Sequence, residues 1–187
     1  MVILIAGATH TGKTLLAQKL LEAYHYPCLS LDHLKMGLIR SGQCPLSPES
    51  DDAELTRYLW PIVREMIKTC VENRQNMIIE GCYIPFGWEN DFPDEYRKEI
   101  AYVCLVLSEA YIKERYADIA RYESVIENRK EACPAPESLL EENRRNLRQC
   151  ILHSYDHILM GKDYVLDIEM IRRLLHTAAP QADAVAG

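Results

Sequence analysis

The sequence predicts an α/β fold of three layers, in which a five-stranded parallel sheet lies between two layers of helices. Two observations support this prediction. Short apolar runs alternate with segments of helical spacing five times along the chain, and this alternation is typical of a mostly parallel sheet covered on both faces. The first apolar run also ends in a glycine-rich turn that leads directly into a helix, which is the arrangement of a phosphate-binding loop.

Length and composition favour one globular domain over residues 1–187. The chain has 187 residues, of which 48% are hydrophobic and 26% are charged, an ordinary balance for a folded domain. No internal repeat or linker interrupts it. Residues 178–187 are rich in alanine, and we expect them to form a frayed tail.

Charge and cysteine content limit the classes of function. The formal net charge of −7 and the pI of about 5.4 argue against a protein that binds nucleic acid. We find no signal peptide and no apolar stretch of membrane-spanning length, so no membrane partner is expected. The seven cysteines are scattered and form no C-x-x-C pair, which favours reduced thiols and a cytoplasmic location. The sequence does not predict the oligomeric state.

The first quarter of the chain contains two predicted strands and two predicted helices. Residues 2–6 are apolar and largely β-branched, as in a buried strand, and residues 13–24 place leucines on one helical face. A second strand is predicted within residues 26–31, followed by a short helix over residues 32–42. Two prolines and two serines make residues 43–50 a loop.

A long helix and a third strand follow. The helix is predicted to begin at a cap formed by Ser50 or Asp51 and to end at about Asn73. Pro61 is expected to kink it, because proline lacks the backbone donor that the helix needs. Residues 76–81 are the third predicted strand.

The rest of the chain predicts two more strands. Residues 101–107 form the fourth strand, and Ser108 opens a helix over residues 109–122. A further helix is predicted over about residues 139–159. The fifth strand is placed at residues 163–168, before a short closing helix.

The turn after the first strand matches G-x-x-x-x-G-K-[ST] in full, through Gly7, Gly12, Lys13 and Thr14. In this P-loop, glycines let the backbone wrap around phosphates, and successive N–H groups point inward as an anion site. The N-terminus of the next helix adds a favourable dipole. Lys13 is expected to bring a positive charge to the β- and γ-phosphates, and Thr14 a hydroxyl for Mg²⁺.

The nucleotide predicted for this loop is ATP. The chain lacks the D-x-x-G and N-K-x-D motifs that accompany guanine recognition in GTPases. His10 lies inside the loop and either contacts phosphate or only fills space. The predicted nucleotide-binding residues in the loop are Gly7, Ala8, Thr9, His10, Thr11, Gly12, Lys13, Thr14 and Leu15.

Charged residues after the second strand form a candidate site for a phosphate acceptor. Asp32 is expected at the carboxyl edge of the sheet, facing the P-loop, where its carboxylate can accept or orient the proton of an attacking hydroxyl. Lys35 lies one helical turn further and Arg40 follows on the same segment, so both could hold a charged acceptor. Alternatively, Asp32 only caps the helix while Lys35 and Arg40 are solvated.

The end of the third strand adds a second carboxylate. Glu80 is expected near Mg²⁺ or the acceptor hydroxyl, although it could instead form an ion pair with a neighbouring cation. The loop over residues 82–96 is rich in aromatic residues. Tyr83, Phe86 and Trp88 either wall the acceptor pocket or form a small core beneath the loop.

These motifs, in this order, resemble the small P-loop kinases, which include adenylate kinase, shikimate kinase and relatives that act on gluconate or antibiotics. In adenylate kinase the segment after the second strand reads G-D-x-L-R and ends in K-S-G. Asp32 and Lys35 match its aspartate and arginine, while Ser41 and Gly42 match its end. The resemblance spans most of the chain. It implies ATP, Mg²⁺ and phosphoryl transfer, with Asp32, Lys13 and a lid arginine in catalytic roles.

The chain also departs from these relatives. Adenylate kinases carry D-G-F-P-R after the third strand, whereas this chain has E-G-C-Y-I-P-F-G-W, without an arginine. The G-G-G run of shikimate kinases is absent as well. A nucleoside monophosphate is therefore the less favoured acceptor, and a small hydroxylated or anionic metabolite is the more favoured one, bound by about residues 32–60.

A lid over about residues 115–137 is implied by the same resemblance, because these kinases close an arginine-bearing helix over ATP. Arg115 matches the family position best, and Arg121 is a second candidate. The two are six residues apart, so they lie on different faces unless the helix breaks. Further on, Glu141 and Arg145 have the spacing of an ordinary exposed ion pair.

Three alternatives to a metabolite kinase stay open at this point. One is a nucleoside monophosphate kinase. Another is a P-loop ATPase or regulatory protein without a small-molecule acceptor, whose ATP hydrolysis no metabolite would stimulate. A kinase of nucleic-acid ends is the third, and the net charge of −7 argues against it because such a protein needs a basic groove.

Overall fold

Five parallel strands form the central sheet of the protein. The computed structural model describes residues 1–122, 133–162, 164–166, 169, 171 and 173. The strands are β1 (Val2–Gly7), β2 (Cys28–Ser30), β3 (Met77–Glu80), β4 (Ile100–Leu107) and β5 (His157–Met160). Their order across the sheet is β2-β3-β1-β4-β5, and every pairing is parallel.

Helices connect these strands and cover the sheet. They are α1 (Lys13–Tyr24), α2 (Leu31–Arg40), α3 (Asp52–Glu72), α4 (Asp94–Arg97), α5 (Glu109–Tyr122) and α6 (Pro136–His153), with a 3-10 turn at Trp88–Asp91. The side chain of Asp51 accepts a hydrogen bond from the Ala53 N–H at 2.8 Å and caps α3 as predicted. The helix then runs on through Pro61 to its end.

Both faces of the sheet are buried, as the strand pattern predicts. Along β1, Val2 and Leu4 pack on one face with residues of α3, while Ile3 and Ile5 pack on the other with residues of α1 and α5. A strand that is apolar on both faces must be covered on both. The predicted three-layer α/β/α architecture with a five-stranded parallel sheet is therefore confirmed.

The predicted position of the fifth strand is wrong. β5 lies at His157–Met160 and pairs with β4, whereas residues 164–166 of the predicted strand are irregular. The preceding helix ends at His153 rather than near residue 159, because Ser154 adopts the left-handed conformation with φ 55° and ends the helical hydrogen bonding. Because β5 is only four residues long, its apolar residues continue the helical spacing of α6, and the sequence pattern does not distinguish the strand from the helix.

Helix α5 breaks at the position predicted for the first lid arginine. Arg115 has φ −120° and ψ 17°, which are not helical angles. Residues 123–132, in the middle of the predicted lid, and the predicted tail at 178–187 lie outside the described residues. Within the part of the chain that the structure describes, no helix has the length and apolar character to cross a membrane.

Candidate active site

The P-loop takes the shape that its glycines allow. Gly7 has φ 145° and Gly12 has φ 82°, while His10 also lies at positive φ, 61°. A Cβ on Gly7 would come within 2.5 Å of the Leu105 carbonyl oxygen, so β1 and β4 leave no room for a side chain there. These turns carry the backbone from the buried end of β1 into the first turn of α1, where free N–H groups favour an anion.

Tyr164 packs directly on this loop. Its hydroxyl donates a hydrogen bond to the Thr11 carbonyl oxygen at 3.0 Å. A Cβ on Gly12 would lie only 1.7 Å from the Tyr164 hydroxyl oxygen. Gly12 is therefore required both by its backbone conformation and by the tyrosine beside it. The sequence placed Tyr164 in a strand and gave no signal for this contact.

Lys13 is buried beneath the loop. Its Nζ donates to the Ala8 carbonyl oxygen at 2.8 Å, and the Thr11 hydroxyl donates to the same oxygen at 2.8 Å. Burial alone would lower the Lys13 pKa, but the neighbouring Cys82 and Glu80 outweigh burial and hold this pKa above its ordinary value. Lys13 is therefore a fixed positive charge at the end of β1.

Two carboxylates from neighbouring strands approach this charge. Glu80 ends β3 and is buried, with 2% of its surface exposed. Asp32 lies in the first turn of α2, just beyond β2, and it also interacts electrostatically with Lys13. The register pairs Glu80 with Ile5 of β1 and with Ser30 of β2. Because the strands are parallel, their carboxyl ends bring the three charged groups together.

Asp32, Lys35 and Tyr83 form a hydrogen-bonded group beside Lys13. The Lys35 Nζ lies 3.1 Å from the Asp32 Oδ1 and donates to the Tyr83 hydroxyl at 2.8 Å. The same ammonium lies 5.2 Å from the centre of the Tyr83 ring. Burial raises the pKa of Tyr83 to about 12 despite the Lys35 hydrogen bond. Lys35 itself keeps a raised pKa, because Tyr83 and Asp32 outweigh the effect of its burial.

The remaining predicted site residues lie farther out. Arg40 is exposed in the last turn of α2, about 12 Å along the helix axis from Asp32 at 1.5 Å per residue. Arg115 is about half exposed and pairs with Asp118 at 3.4 Å. Arg121 is exposed in the last turn of α5. The structure thus brings Lys13, Asp32, Lys35, Glu80 and Tyr83 together and leaves the three arginines at the periphery.

The aromatic residues of the 82–96 loop belong to the core. Trp88 is 6% exposed and packs in the cluster that covers one face of the sheet, and Phe86 packs against that cluster. Tyr155 accepts a hydrogen bond from the Gly87 N–H at 2.9 Å and holds the loop down. Of the open alternatives, a core beneath the loop applies to all three: Tyr83 is 5% exposed and belongs to the same cluster, while its hydroxyl contacts Lys35.

Glu142 is a site residue that the sequence did not reveal. It lies half-buried on α6, and its carboxylate is within electrostatic range of Lys13 of the P-loop. Burial and the neighbouring Asp52 raise the pKa of Glu142, while Arg145 opposes them. The sequence pattern pairs Arg145 with Glu141 instead, since spacing cannot tell which of two adjacent glutamates faces inward.

The donor set suits a magnesium ion that keeps most of its own water. Among the described residues, no three His, Cys, Asp or Glu side chains group around one point as a metal site. Mg²⁺ commonly takes only one or two protein ligands and completes its shell with water and substrate phosphates. Thr14 in the first turn of α1 and Glu80 at the end of β3 fit that role.

Comparison with known proteins identifies the fold. No family model and no curated protein match the sequence, but solved structures do. A gluconokinase from Sinorhizobium meliloti 1021 is 17% identical, with 95% of this chain and 90% of that chain covered and a TM-score of 0.53. A sugar kinase from Janibacter sp. HTCC2649 is 16% identical, with 96% and 98% covered and a TM-score of 0.54.

A third solved structure extends the range of substrates. A deoxyadenosine kinase from M. mycoides is 14% identical, with 95% of this chain and 100% of that chain covered and a TM-score of 0.50. Identities of this size establish a shared fold and no particular substrate. The chain has the α/β fold of the P-loop small-molecule kinases.

Proposed function

We propose that this protein is an ATP-dependent kinase that transfers the γ-phosphoryl group to a hydroxyl of a small metabolite. The observation that supports this most is the meeting of Lys13, Glu80 and Asp32 at the carboxyl ends of three adjacent parallel strands. A phosphate-binding lysine, a carboxylate suited to Mg²⁺ and a carboxylate suited to a hydroxyl are the parts that phosphoryl transfer needs.

The P-loop side of the site would bind ATP. Backbone N–H groups of the loop and the Lys13 ammonium would hold the β- and γ-phosphates. Thr14 and Glu80 would hold Mg²⁺, and the ion, when bound, neutralises charge on those phosphates. We also infer that Arg115 and Arg121 reach ATP when the lid closes, with Arg115 released from Asp118.

The acceptor side would be arranged around Asp32. Its carboxylate would accept or orient the proton of the attacking hydroxyl. Lys35 holds one Asp32 oxygen and the Tyr83 hydroxyl, and these contacts fix where the carboxylate lies. Lys35, Glu80 and Tyr83 would contact the acceptor itself. Arg40 would contribute only to an acceptor that reaches the far end of α2.

A metabolite screen tests the proposal. Release of ADP from MgATP would be measured with neutral sugars, sugar acids including gluconate, nucleoside monophosphates and no acceptor. We expect stimulation by a non-nucleotide hydroxyl compound. Stimulation by nucleoside monophosphates would favour a nucleoside monophosphate kinase, and hydrolysis that no compound stimulates would favour an ATPase or regulatory protein.

A pair of lysine variants provides the control. Lys13→Ala should lower the rate of ADP release at least ~10³-fold, because the γ-phosphate loses its buried cation. Lys98→Ala, at an exposed position beyond α4, should keep wild-type activity. Full activity of Lys13→Ala would overturn the proposal. A cytoplasmic location, where ATP is abundant, belongs to the same proposal.

A further inference from the structure

The ion pair on the acceptor side is held in position by a third side chain. The Lys35 Nζ lies 3.1 Å from the Asp32 Oδ1, donates a hydrogen bond to the Tyr83 hydroxyl at 2.8 Å and lies 5.2 Å from the centre of the Tyr83 ring. Tyr83 is 5% exposed and packs in the core. Because the core anchors the phenol, the ammonium that bonds to it and the carboxylate paired with that ammonium keep a defined separation.

The Asp32–Lys35 pair can offer a ligand one acceptor and one donor. The Asp32 side chain is 34% exposed and that of Lys35 is 12% exposed. An ammonium carries three hydrogens, of which Asp32 and Tyr83 use two, and a carboxylate accepts several hydrogen bonds at once. The third Lys35 hydrogen and the further lone pairs of Asp32 lie side by side, since the atoms that carry them are 3.1 Å apart.

Such a pair matches two hydroxyls on adjacent carbon atoms. A hydroxyl can both donate and accept a hydrogen bond. One hydroxyl can donate to Asp32, as the attacking group in the proposed transfer must, while its neighbour accepts from Lys35. Both bonds involve a charged protein group, and such hydrogen bonds are stronger than those between neutral groups.

The same pair disfavours an anionic group. A carboxylate or phosphate that reached the Lys35 ammonium would lie beside the Asp32 carboxylate, which already shares that positive charge. Like charges in a partly buried site repel each other strongly. Arg40, the second cation that the sequence suggested for the acceptor, is exposed at the far end of α2. Lys35 is therefore better suited to an uncharged part of the acceptor.

We propose that the acceptor is a neutral polyol or sugar, bound through two adjacent hydroxyls, one on Asp32 and the other on Lys35. The inference rests on the proposed function and deepens it, since it concerns the acceptor of the same phosphoryl transfer. It changes the role of Lys35. Instead of holding a charge of the acceptor, Lys35 selects the hydroxyl next to the attacking one.

Only one of the two hydroxyls reacts. The oxygen of the hydroxyl on Asp32 forms a bond to the γ-phosphorus of ATP, and its proton passes to Asp32. The bond between that phosphorus and the oxygen that bridges the β- and γ-phosphates breaks, and ADP leaves. The hydroxyl on Lys35 stays unchanged and fixes the acceptor in place.

Matched acceptors test the class of substrate. The kcat/KM for ADP release from MgATP would be measured with glycerol, erythritol, ribitol, D-sorbitol and D-glucose, with glycerate, erythronate, ribonate and gluconate, and with 1,3-propanediol and 1,4-butanediol, whose hydroxyls are not adjacent. We expect the highest value with a neutral compound that has adjacent hydroxyls. Its acid, or its analogue without adjacent hydroxyls, should be at least ~10-fold poorer, the factor for one lost hydrogen bond to a charged group.

The outcomes separate this inference from the proposed function. Preference for an acid, or equal values with the non-adjacent diols, would overturn the inference and leave an ATP-dependent metabolite kinase in place. ADP release that none of these compounds stimulates would overturn both.

A pair of lysine variants separates selection of the acceptor from a merely structural role. Lys35→Met removes the donor and keeps a long side chain, so the preference for adjacent over non-adjacent hydroxyls should disappear while MgATP affinity stays near that of wild type. Lys98→Met, at an exposed position beyond α4, should keep the wild-type preference. An unchanged preference in Lys35→Met would overturn the inference.

A tyrosine pair keeps the test decisive if Lys35→Met does not fold. Tyr83→Phe removes only the hydroxyl that holds Lys35, and the preference for adjacent hydroxyls should fall at least ~3-fold, the factor for one neutral hydrogen bond. Tyr96→Phe, which removes a hydroxyl bonded to Glu72, should leave it unchanged. Equal preferences in the two tyrosine variants would count against the inference.

Discussion

At the scale of single residues, the position of each charged side chain in the candidate site is set by its hydrogen-bond and ion-pair partners. Asp32 has a fixed partner in Lys35, at 3.1 Å, and Lys35 is itself fixed by the Tyr83 hydroxyl. The sequence identified all three as site candidates, because they follow strand ends. Their mutual bonds could not be predicted, since Tyr83 is 48 residues from Lys35 along the chain.

Asp32→Asn should separate binding from transfer. We expect MgATP affinity near that of wild type and acceptor phosphorylation lowered at least ~10²-fold, the usual contribution of a general base. Calorimetry and the rate of ADP release measure the two effects. Asp94→Asn, whose carboxylate is largely exposed on α4, is the matched control. Unchanged transfer in Asp32→Asn would exclude Asp32 from the chemistry.

Gly12→Ala should disrupt nucleotide binding through two independent effects. The left-handed backbone at φ 82° disfavours alanine, and the new methyl group would lie 1.7 Å from the Tyr164 hydroxyl oxygen. We expect MgATP affinity to fall at least ~10-fold, since each effect costs about 1 kcal/mol or more. Adding Tyr164→Ala should restore part of the affinity. If the double variant recovers none, Tyr164 is not the cause.

At the scale of elements, the first turn of α5 is linked to the middle of α6. Glu109 in the first turn of α5 accepts hydrogen bonds at 2.6 Å from Lys113 of its own helix and from Arg144 of α6. Beyond this link, α5 breaks at Arg115. The part of α5 before the break is therefore tied to α6, while the part after it leads toward the residues predicted to form a lid.

The Glu109 link should show in the pH dependence of stability. The hydrogen bonds from Lys113 and Arg144 lower the pKa of Glu109 from 4.5 to about 2. A lowered pKa in the folded state means that the stabilisation is complete above pH 4.5 and is lost as the pH falls through about 2. Glu109→Gln should reduce the fall in Tm between these pH values, by a small amount because the site is exposed. Glu114→Gln on the same helix should not.

Asn143→Leu should destabilise the protein, because the buried Asn143 Oδ1 accepts a hydrogen bond from the Leu107 N–H at 2.7 Å and anchors α6 to the end of β4. The change leaves the Leu107 N–H buried without its acceptor, which costs about 1–3 kcal/mol in the free energy of unfolding. Urea denaturation would measure the loss. Arg148→Leu, at an exposed position of the same helix, should change stability by less than about 0.5 kcal/mol. Equal effects of the two variants would contradict the anchoring role of Asn143.

At the scale of the whole molecule, the parallel sheet collects residues that are far apart in sequence. Gly7 pairs with Leu105 near the carboxyl end of β4, and Glu80 pairs with Ile5 near the end of β1 and with Ser30 at the end of β2. The candidate site is therefore built from the ends of several strands at one edge of the sheet. A ligand bound there would contact several secondary-structure elements at once. Binding should stabilise the fold as a whole.

Thermal unfolding tests this coupling. MgATP at about 100 times its Kd should stabilise the protein by about 2.7 kcal/mol, which for a chain of this size raises Tm by about 5–10 °C. Removal of Mg²⁺ with EDTA should abolish most of this shift. Lys13→Ala should show no shift at the same nucleotide concentration. A shift in that variant equal to wild type would place the nucleotide somewhere other than the P-loop.

The sequence by itself determined the fold class, the P-loop and the candidates Lys13, Asp32, Lys35, Glu80 and Tyr83. These predictions follow from local patterns. Hydrophobic periodicity indicates which faces of a helix or strand are buried, and the P-loop motif indicates the backbone conformation of a single loop. Tertiary structure alone decided that β5 lies at His157–Met160, that Tyr164 packs on Gly12, and that Asn143 accepts a hydrogen bond from the Leu107 N–H. Each of these depends on the packing of segments distant in the chain, and no local pattern specifies such contacts.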